Sequence, residues 1–474
     1  MALIVLGYFI ALSAFYLFFT VIAWRNISHH QSARRYAAIE DLFASPLTPP
    51  VSVLLPAYNE ERGIAESVRS LLGLRYPEHE VIVINDGSKD GTLARLMTAF
   101  DLVPVEKALR AEISTTAVRA TFVSKRYHEL VVIDKENGGK ADALNAGVNA
   151  ARYPYFCAVD ADAILEEDAL LRIAKPIVDD PGLVAATGGI VRIANGCPID
   201  HGRLTRVRLP KSRLATMQVV DYFRAFLIGR IGWSRLNSLL IISGAFGLFR
   251  RSLVESVGGY ATDTVGEDVE LVVRLHRYLR GRQEDYRIAF VPDPVCWTEV
   301  PEDLRTLRRQ RRRWQRGLAE TIWRHRRLAF SPRFGAVGLV GFPYFLVFEL
   351  AGPVIELFGY LVVPIAAVLG LLSVPFLLAF LLVGVLTGVL LSVSALALEE
   401  LGFGRHPDDR ELARLLGYAV LDNFGYRQLI AVFRVLGLLD VIRGRKEWGE
   451  MRRRGLGVMG HGLHRRKERV GKPG

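Results

Sequence analysis

Two apolar stretches without a charged side chain constrain this chain more than any other feature. Residues 1–24 carry no charge before Arg25, and Leu357–Leu398 carry none over 42 residues. At about 1.5 Å of rise per residue the first is long enough to cross a hydrocarbon core about 30 Å thick. A cleaved leader is the alternative, but the run has no early Lys or Arg, is too long, and offers no small-x-small site before Arg25. The second stretch, with Pro364 and Pro375 inside it, has the length of two spans joined by a turn near Ser373–Pro375. Between the soluble region and that stretch, Phe334–Glu356 contains Glu349, Glu356, Pro343 and Pro353. It reads either as a helix in the head-group plane or as a further span whose acids face protein. Residues 411–441 pose the same choice, with charges at Arg414, Asp422, Arg427 and Arg434.

The charge distribution orients these segments. The 474 residues sum to +12, yet Asp303–Arg333 alone carries +9 and Ile442–Gly474 carries +8, leaving the rest at −5. The positive charge therefore sits beside apolar segments rather than over a reading face, which points to lipid head groups and away from nucleic acid. Arg25, Arg34 and Arg35 follow the first span, so the region after it is expected in the cytoplasm. With the basic tail also cytoplasmic, the number of spans should be odd, three or five. The expected organisation is a span over 1–24, a linker over 25–44, a soluble domain over 45–330, interfacial and transmembrane helices over 331–440, and a basic tail over 441–474. The location this implies is a plasma or inner membrane, crossed several times. Cys157, Cys197 and Cys296 have neither zinc-site spacing nor the number a disulfide framework needs, in keeping with a reducing compartment.

Residues 45–330 form the only soluble stretch large enough for an enzyme. Strand-like runs at Val51–Leu55, Glu80–Ile84, Leu130–Ile133 and Tyr155–Val159 alternate with helical segments, one ending near Leu72, one starting at Asp90 and one over Lys140–Ala151. That rhythm predicts an α/β domain with a mostly parallel sheet flanked by helices, inserted between the terminal membrane helices. Ligands in such sheets bind beyond the carboxyl ends of the strands. The polar clusters Asn59-Glu60, Asp86 and Asp160-Ala161-Asp162 fall at those ends. The stretch Asp101–Glu129 carries no functional signal and reads as an irregular connection at the sheet edge. Asp160 and Asp162, one residue apart on an extended segment, share a side and suit Mg²⁺ or Mn²⁺ bridging a diphosphate. A strand-end turn capping a helix near Glu166 is the bland alternative.

The strings PAYNEE, NDGSKDGT, NGGKADALN, VDADA, SGAFGLFRR, GGY…GED and QRRRW occur in this order over residues 50–320. Together they resemble the family 2 inverting glycosyltransferases with a GT-A fold, and more narrowly the membrane-integrated branch of cellulose, chitin, hyaluronan and poly-N-acetylglucosamine synthases. The resemblance implies a UDP-sugar donor, a divalent cation and a glycan or lipid-linked acceptor. It assigns Ala57, Tyr58, Glu60 and Asp86 to the base and ribose, Lys140 to the nucleotide or its phosphates, Asp160 to the ribose side, and Asp162 to direct metal ligation, with Asp160 beside it. Asp268, with Glu267 next to it, becomes the catalytic carboxylate that takes the acceptor proton, so one displacement inverts the anomeric centre. Many relatives have Thr where this chain has Gly266. Gln310 and Trp314 are assigned to the acceptor and Arg313 to the pyrophosphate, and Q-x-x-R-W spacing places all three on one helix face. Arg308, Arg309, Arg311 and Arg312 are expected to face solvent or anionic lipid. Ser243 and Gly244 resemble the segment beside the acceptor. The motifs favour a processive synthase that exports its polymer, with any accessory subunits as separate chains. The alternatives are single-sugar transfer to a lipid carrier, and a catalytically silent scaffold, which would have no use for the full set of carboxylates.

Overall fold

The computed structural model describes residues 2–34, 39–106, 109–404 and 408–444, so Arg35 and the basic tail beyond Gly444 lie outside the described residues. The strands are β1 (Val51–Ala57), β2 (His79–Asp86), β3 (Leu102–Val105), β4 (Val118–Ser124), β5 (Leu130–Lys135), β6 (Tyr155–Val159), β7 (Ala163–Leu165), β8 (Val184–Ile193), β9 (Ile199–Asp200), β10 (Arg203–Leu204), β11 (Phe246–Arg250) and β12 (Arg287–Thr298). All but β9 and β10, which pair with each other, join one ten-stranded sheet in the order β3-β4-β5-β2-β1-β6-β11-β8-β12-β7.

The α/β layering read from the sequence is present, and its four anticipated strands form the parallel heart β5-β2-β1-β6. Their residues are nearly all buried, as strands covered by helices on both faces require. The helices Ile64–Leu72 and Lys140–Ala150 fall where the sequence placed them. The sheet as a whole is mixed rather than mostly parallel. β11 runs antiparallel to both β6 and β8, β12 is parallel to β8, and β7 returns antiparallel along β12. The stretch Asp101–Glu129 is also more regular than expected. Its β3 and β4 pair antiparallel with each other, and β4 pairs with β5, closing that edge of the sheet. Leu102 and Phe122 are buried there, and that apolar content is too short to be recognised without its partner strand.

Among the described residues, two helices are long and apolar enough to cross a membrane, Val5–Ser28 within Ala2–Arg34 and Val374–Phe403. A third candidate is the pair Val337–Leu350 and Gly352–Val368, bent by 41°. The expected turn near Ser373 lies between Val368 and Val374, where Ser373 caps the following helix by accepting from the Phe376 backbone N–H. The charged segment 411–441 forms the helices Asp409–Leu421 and Arg427–Ile442. The N-terminal helix packs on the α/β domain through Phe19, whose ring centroid lies 4.6 Å from that of Trp233. Farther along the apolar helices, Glu399 pairs with Arg192 at the end of β8, with both side chains buried.

Candidate active site

The loops after β1 and β2 are stitched to each other by short polar contacts. Ser88 Oγ accepts from the Asn59 N–H at 3.0 Å, Thr92 Oγ1 accepts from the Glu60 N–H at 2.9 Å, and Asn59 Oδ1 accepts from the Lys89 N–H at 2.8 Å. Asp86 ends β2 in a fully engaged position. Its carboxylate accepts from the backbone N–H groups of Gly138 at 2.9 Å and Gly139 at 2.8 Å, and from Lys135 Nζ at 2.9 Å. Asp86 therefore anchors the glycine turn that presents Lys140. Ala57 is buried, and Tyr58 stands exposed on the loop. Neither these two nor Glu60 and Asp86 line the cavity that holds the remaining candidates.

That cavity, of about 1710 Å³, gathers Lys140, Asp160, Asp162, Ser243, Gly244, Glu267, Asp268, Gln310, Arg313 and Trp314. Residues from the ends of β6 and the helices Lys140–Ala150, Glu267–Gly281 and Leu304–Arg324 thus meet in one place. Lys140 is its electrostatic hub, with Nζ 2.6 Å from Asp160 Oδ1 and 3.3 Å from Glu267 Oε1. Burial alone would depress its pKa, but Asp160, Glu267 and Asp268 outweigh that and hold the ammonium above its ordinary range. Burial pushes the Glu267 carboxyl upward, Lys140 opposes the shift, and the Asp268 charge adds to it. Asp268 opens its helix and accepts from the Gly244 N–H at 3.2 Å and from the Val269 N–H at 2.8 Å. A side chain at position 244 would put Cβ 2.8 Å from Lys140 Nζ and 3.4 Å from Asp268 Oδ2, so the absence of one keeps the site open.

On the helix Leu304–Arg324, Trp314 is 43% exposed while Gln310 is buried with its carbonyl Oε1 unpartnered among the described residues. The expectation for Arg311 and Arg312 fails. Arg311 is largely buried, lies 2.8 Å from Asp221 and stacks on Trp314 with its Cζ 4.8 Å from the ring centroid. Arg312 pairs with Asp440 through two hydrogen bonds of 2.8 and 2.6 Å. The helix packs against Arg427–Ile442, and Asp221 of the helix Arg213–Phe223 reaches Arg311, so those arginines find partners instead of water. Arg308 and Arg309 are exposed as expected. Asp221, Tyr222 and Arg230 also line the cavity, and the sequence offered no motif that would single them out.

No group of three or more His, Cys, Asp or Glu among the described residues could hold a metal by itself. The donor set nevertheless fits a hard divalent cation. Asp160 and Asp162 supply carboxylate oxygens on one wall, Asp160 already accepts positive charge from Lys140, and Mg²⁺-type ions commonly take one or two carboxylates and complete their shell from substrate phosphates and water.

Residues 49–317, more than half of the chain, match the family model described as glycosyltransferase like family 2. The chain belongs to that family. Similar family 2 proteins include the poly-beta-1,6-N-acetyl-D-glucosamine synthases of Staphylococcus epidermidis, 33% identical over 277 residues, and of Staphylococcus aureus strain COL, 34% identical over 277 residues. Each alignment covers 58% of this chain and 56% of the relative, so the chain spans just over half the length of these relatives. Among solved structures, a mannosyltransferase from Pyrobaculum calidifontis, determined with GDP-Man and Mn²⁺, aligns at TM-score 0.53 and 19% identity, covering 93% of this chain and all of that one. At that identity the likeness speaks for the GT-A-like fold of this family 2 member.

Proposed function

We propose that this protein is a membrane-embedded, inverting polysaccharide synthase that transfers N-acetylglucosamine from UDP-N-acetylglucosamine to the end of a growing β-linked chain and holds that chain as it crosses the membrane. The observation that carries this reading is the reach of the cavity. The same space that is lined by Asp162, Asp268 and Trp314 is lined by Glu356, Tyr360, Phe380 and Gly388 of the apolar helices. A passage with aromatic faces and hydrogen-bonding groups suits a glycan, which presents both apolar ring faces and hydroxyls. The sugar follows from the similarity to poly-beta-1,6-N-acetyl-D-glucosamine synthases.

Asp268 takes the proton of the attacking acceptor hydroxyl. That oxygen bonds to the anomeric carbon from the face opposite the nucleotide, the bond to the diphosphate oxygen breaks, and UDP leaves with the electron pair. Lys140 and Arg313 offset the charge that gathers on the leaving group. Asp160 and Asp162 would hold Mg²⁺ or Mn²⁺, which would supply further charge neutralisation to the leaving group. Ala57, Tyr58, Glu60 and Asp86 form the nucleoside side, with Asp86 acting through the glycine turn it anchors. Trp314, Gln310, Ser243 and Gly244 face the acceptor. The catalytic domain and basic tail lie in the cytoplasm, where nucleotide sugars are available, and exposed arginines such as Arg308 and Arg309 contact anionic lipid.

The test is transfer by purified protein in proteoliposomes with labelled UDP-sugars and Mg²⁺ or Mn²⁺, products being sized with and without EDTA. A metal-dependent high-molecular-weight ladder from UDP-N-acetylglucosamine is the expected result. A single small, lipid-extractable product would replace this reading with single-sugar transfer to a carrier.

A further inference from the structure

Several buried arginines surround the cavity, and most are neutralised by a carboxylate. Arg311 pairs with Asp221, Arg224 with Asp422, and Arg434 with Glu349. Such pairs fix the helices relative to one another and leave little capacity for a ligand. Arg230 is different. Its guanidinium lies over the Phe226 ring, with Cζ 3.6 Å from the centroid, and its Nη1 is buried with no hydrogen-bond partner among the described residues. It lines the same cavity as Asp268, Gln310 and Trp314. Burial pushes its pKa down to about 10, with the Asp268 and Tyr222 charges working only partly against that. A desolvated cation with a buried donor that meets no acceptor among the described residues is costly, and a ligand that supplies oxygens would remove the cost.

The position of Arg230 favours the acceptor over the donor. The donor diphosphate already has Lys140 and Arg313. Arg230 instead lies within electrostatic reach of Asp268 and Tyr222, Tyr222 is likewise within reach of Arg311, which stacks on Trp314, and the buried Gln310 carbonyl, without a partner among the described residues, lines the same cavity. We propose that Arg230 binds the acceptor, donating hydrogen bonds to hydroxyl or N-acetyl carbonyl oxygens of its terminal sugar and so directing the attacking hydroxyl toward Asp268. The Gln310 carbonyl would accept from a hydroxyl of the same sugar, giving one donor and one acceptor across the ring. This assignment rests on the transferase reading of the site.

The experiment measures transfer from UDP-N-acetylglucosamine to β-1,6-linked N-acetylglucosamine oligosaccharides by detergent-purified full-length protein, alongside UDP binding by calorimetry. Arg230→Met keeps length and apolar packing on Phe226 but removes every donor, and Arg230→Lys restores a charge with fewer donors. Loss of a charge-assisted hydrogen bond predicts an acceptor KM at least about tenfold higher in Arg230→Met, partly recovered in Arg230→Lys, with UDP affinity within about twofold of the unaltered protein. A parallel loss of UDP affinity would overturn the assignment by moving Arg230 to the donor side. An unchanged acceptor KM would overturn it by leaving Arg230 a packing residue. A fall in kcat and melting temperature together, with both affinities unchanged, would also overturn it. Absence of transfer by the unaltered protein would instead sink the transferase reading itself.

Discussion

His276 shows how far a single side chain can be specified by its surroundings without taking part in the chemistry. It is fully buried on the back of the helix that begins with Glu267 and Asp268. Nε2 lies 2.9 Å from the Leu239 carbonyl, which can only accept, so Nε2 carries the proton and Nδ1 accepts from the Tyr286 hydroxyl at 2.6 Å. Burial lowers its pKa from 6.5 to about 4. The unfolded chain therefore binds a proton that the folded one refuses, and stability falls as pH drops from about 6.5 toward 4. A shift of this size is worth about 3 kcal/mol. Thermal melts between pH 7 and pH 4.5 should show a steep loss that is reduced in His276→Gln; an identical pH slope in the variant would exclude His276 as its source. At this scale the sequence was legible where short motifs carry chemistry, since Lys140, Asp160, Asp162, Glu267, Asp268, Gln310, Arg313 and Trp314 all reach one cavity. It was not legible for Arg230 or Asp221, whose surroundings come from helices far apart in the chain.

Two helices fix the distance between Asp268 and Trp314, and the chain at their contact meets through glycines. A Cβ on Gly266 would lie 2.8 Å from Gly317 Cα, and one on Gly317 would lie 2.7 Å from Gly266 Cα. Glu320 on the helix Leu304–Arg324 adds a clamp, accepting from Thr264 Oγ1 at 2.8 Å and the Val265 N–H at 3.1 Å. The contact is backbone against backbone, so an added methyl cannot be absorbed by turning a side chain. Gly317→Ala should cost about 1–3 kcal/mol and reduce transfer more than it reduces UDP affinity, because Asp268 and Trp314 separate while the donor loops stay put. Parallel melting and binding measurements check this, and an unchanged melt with full transfer would show that the helices adjust freely. The element scale also shows what one sequence cannot reveal. The four neighbouring parallel strands β5, β2, β1 and β6 announced themselves as apolar runs ending in polar loops. The edge strands β3 and β4 and the antiparallel β11 did not, because pairing partners rather than local pattern define them.

Across the whole molecule, the α/β domain and the apolar helices are joined by buried charge. Arg192 of the sheet meets Glu399 with exposures of 3% and 0%, and the guanidinium also lies within 6 Å of the Phe223, Trp297 and Phe403 ring centroids. Arg224 meets Asp422 and donates to Ser392 Oγ at 2.6 Å, tying the cavity wall to the helix that carries Glu399 and to the segment that begins at Asp422. Removing one member of such a pair leaves an uncompensated buried charge, an effect of about 3–5 kcal/mol. Glu399→Ala should therefore lower the detergent melting temperature sharply, and Arg192→Met with Glu399→Met should recover much of it; equal damage in the single and double variants would contradict the pairing. These links were invisible in the sequence because their members lie about 200 residues apart, as in the separation of 207 between Arg192 and Glu399.

The most direct test of the central claim compares the unaltered protein with Asp268→Asn in one preparation, measuring sugar transfer from UDP-N-acetylglucosamine and UDP affinity together. Loss of the base predicts a fall in transfer of about 10²–10⁴-fold, with UDP affinity nearly unchanged. Transfer that survives the substitution would contradict the account, because the cavity around Asp268 would then not be where the acceptor proton is taken.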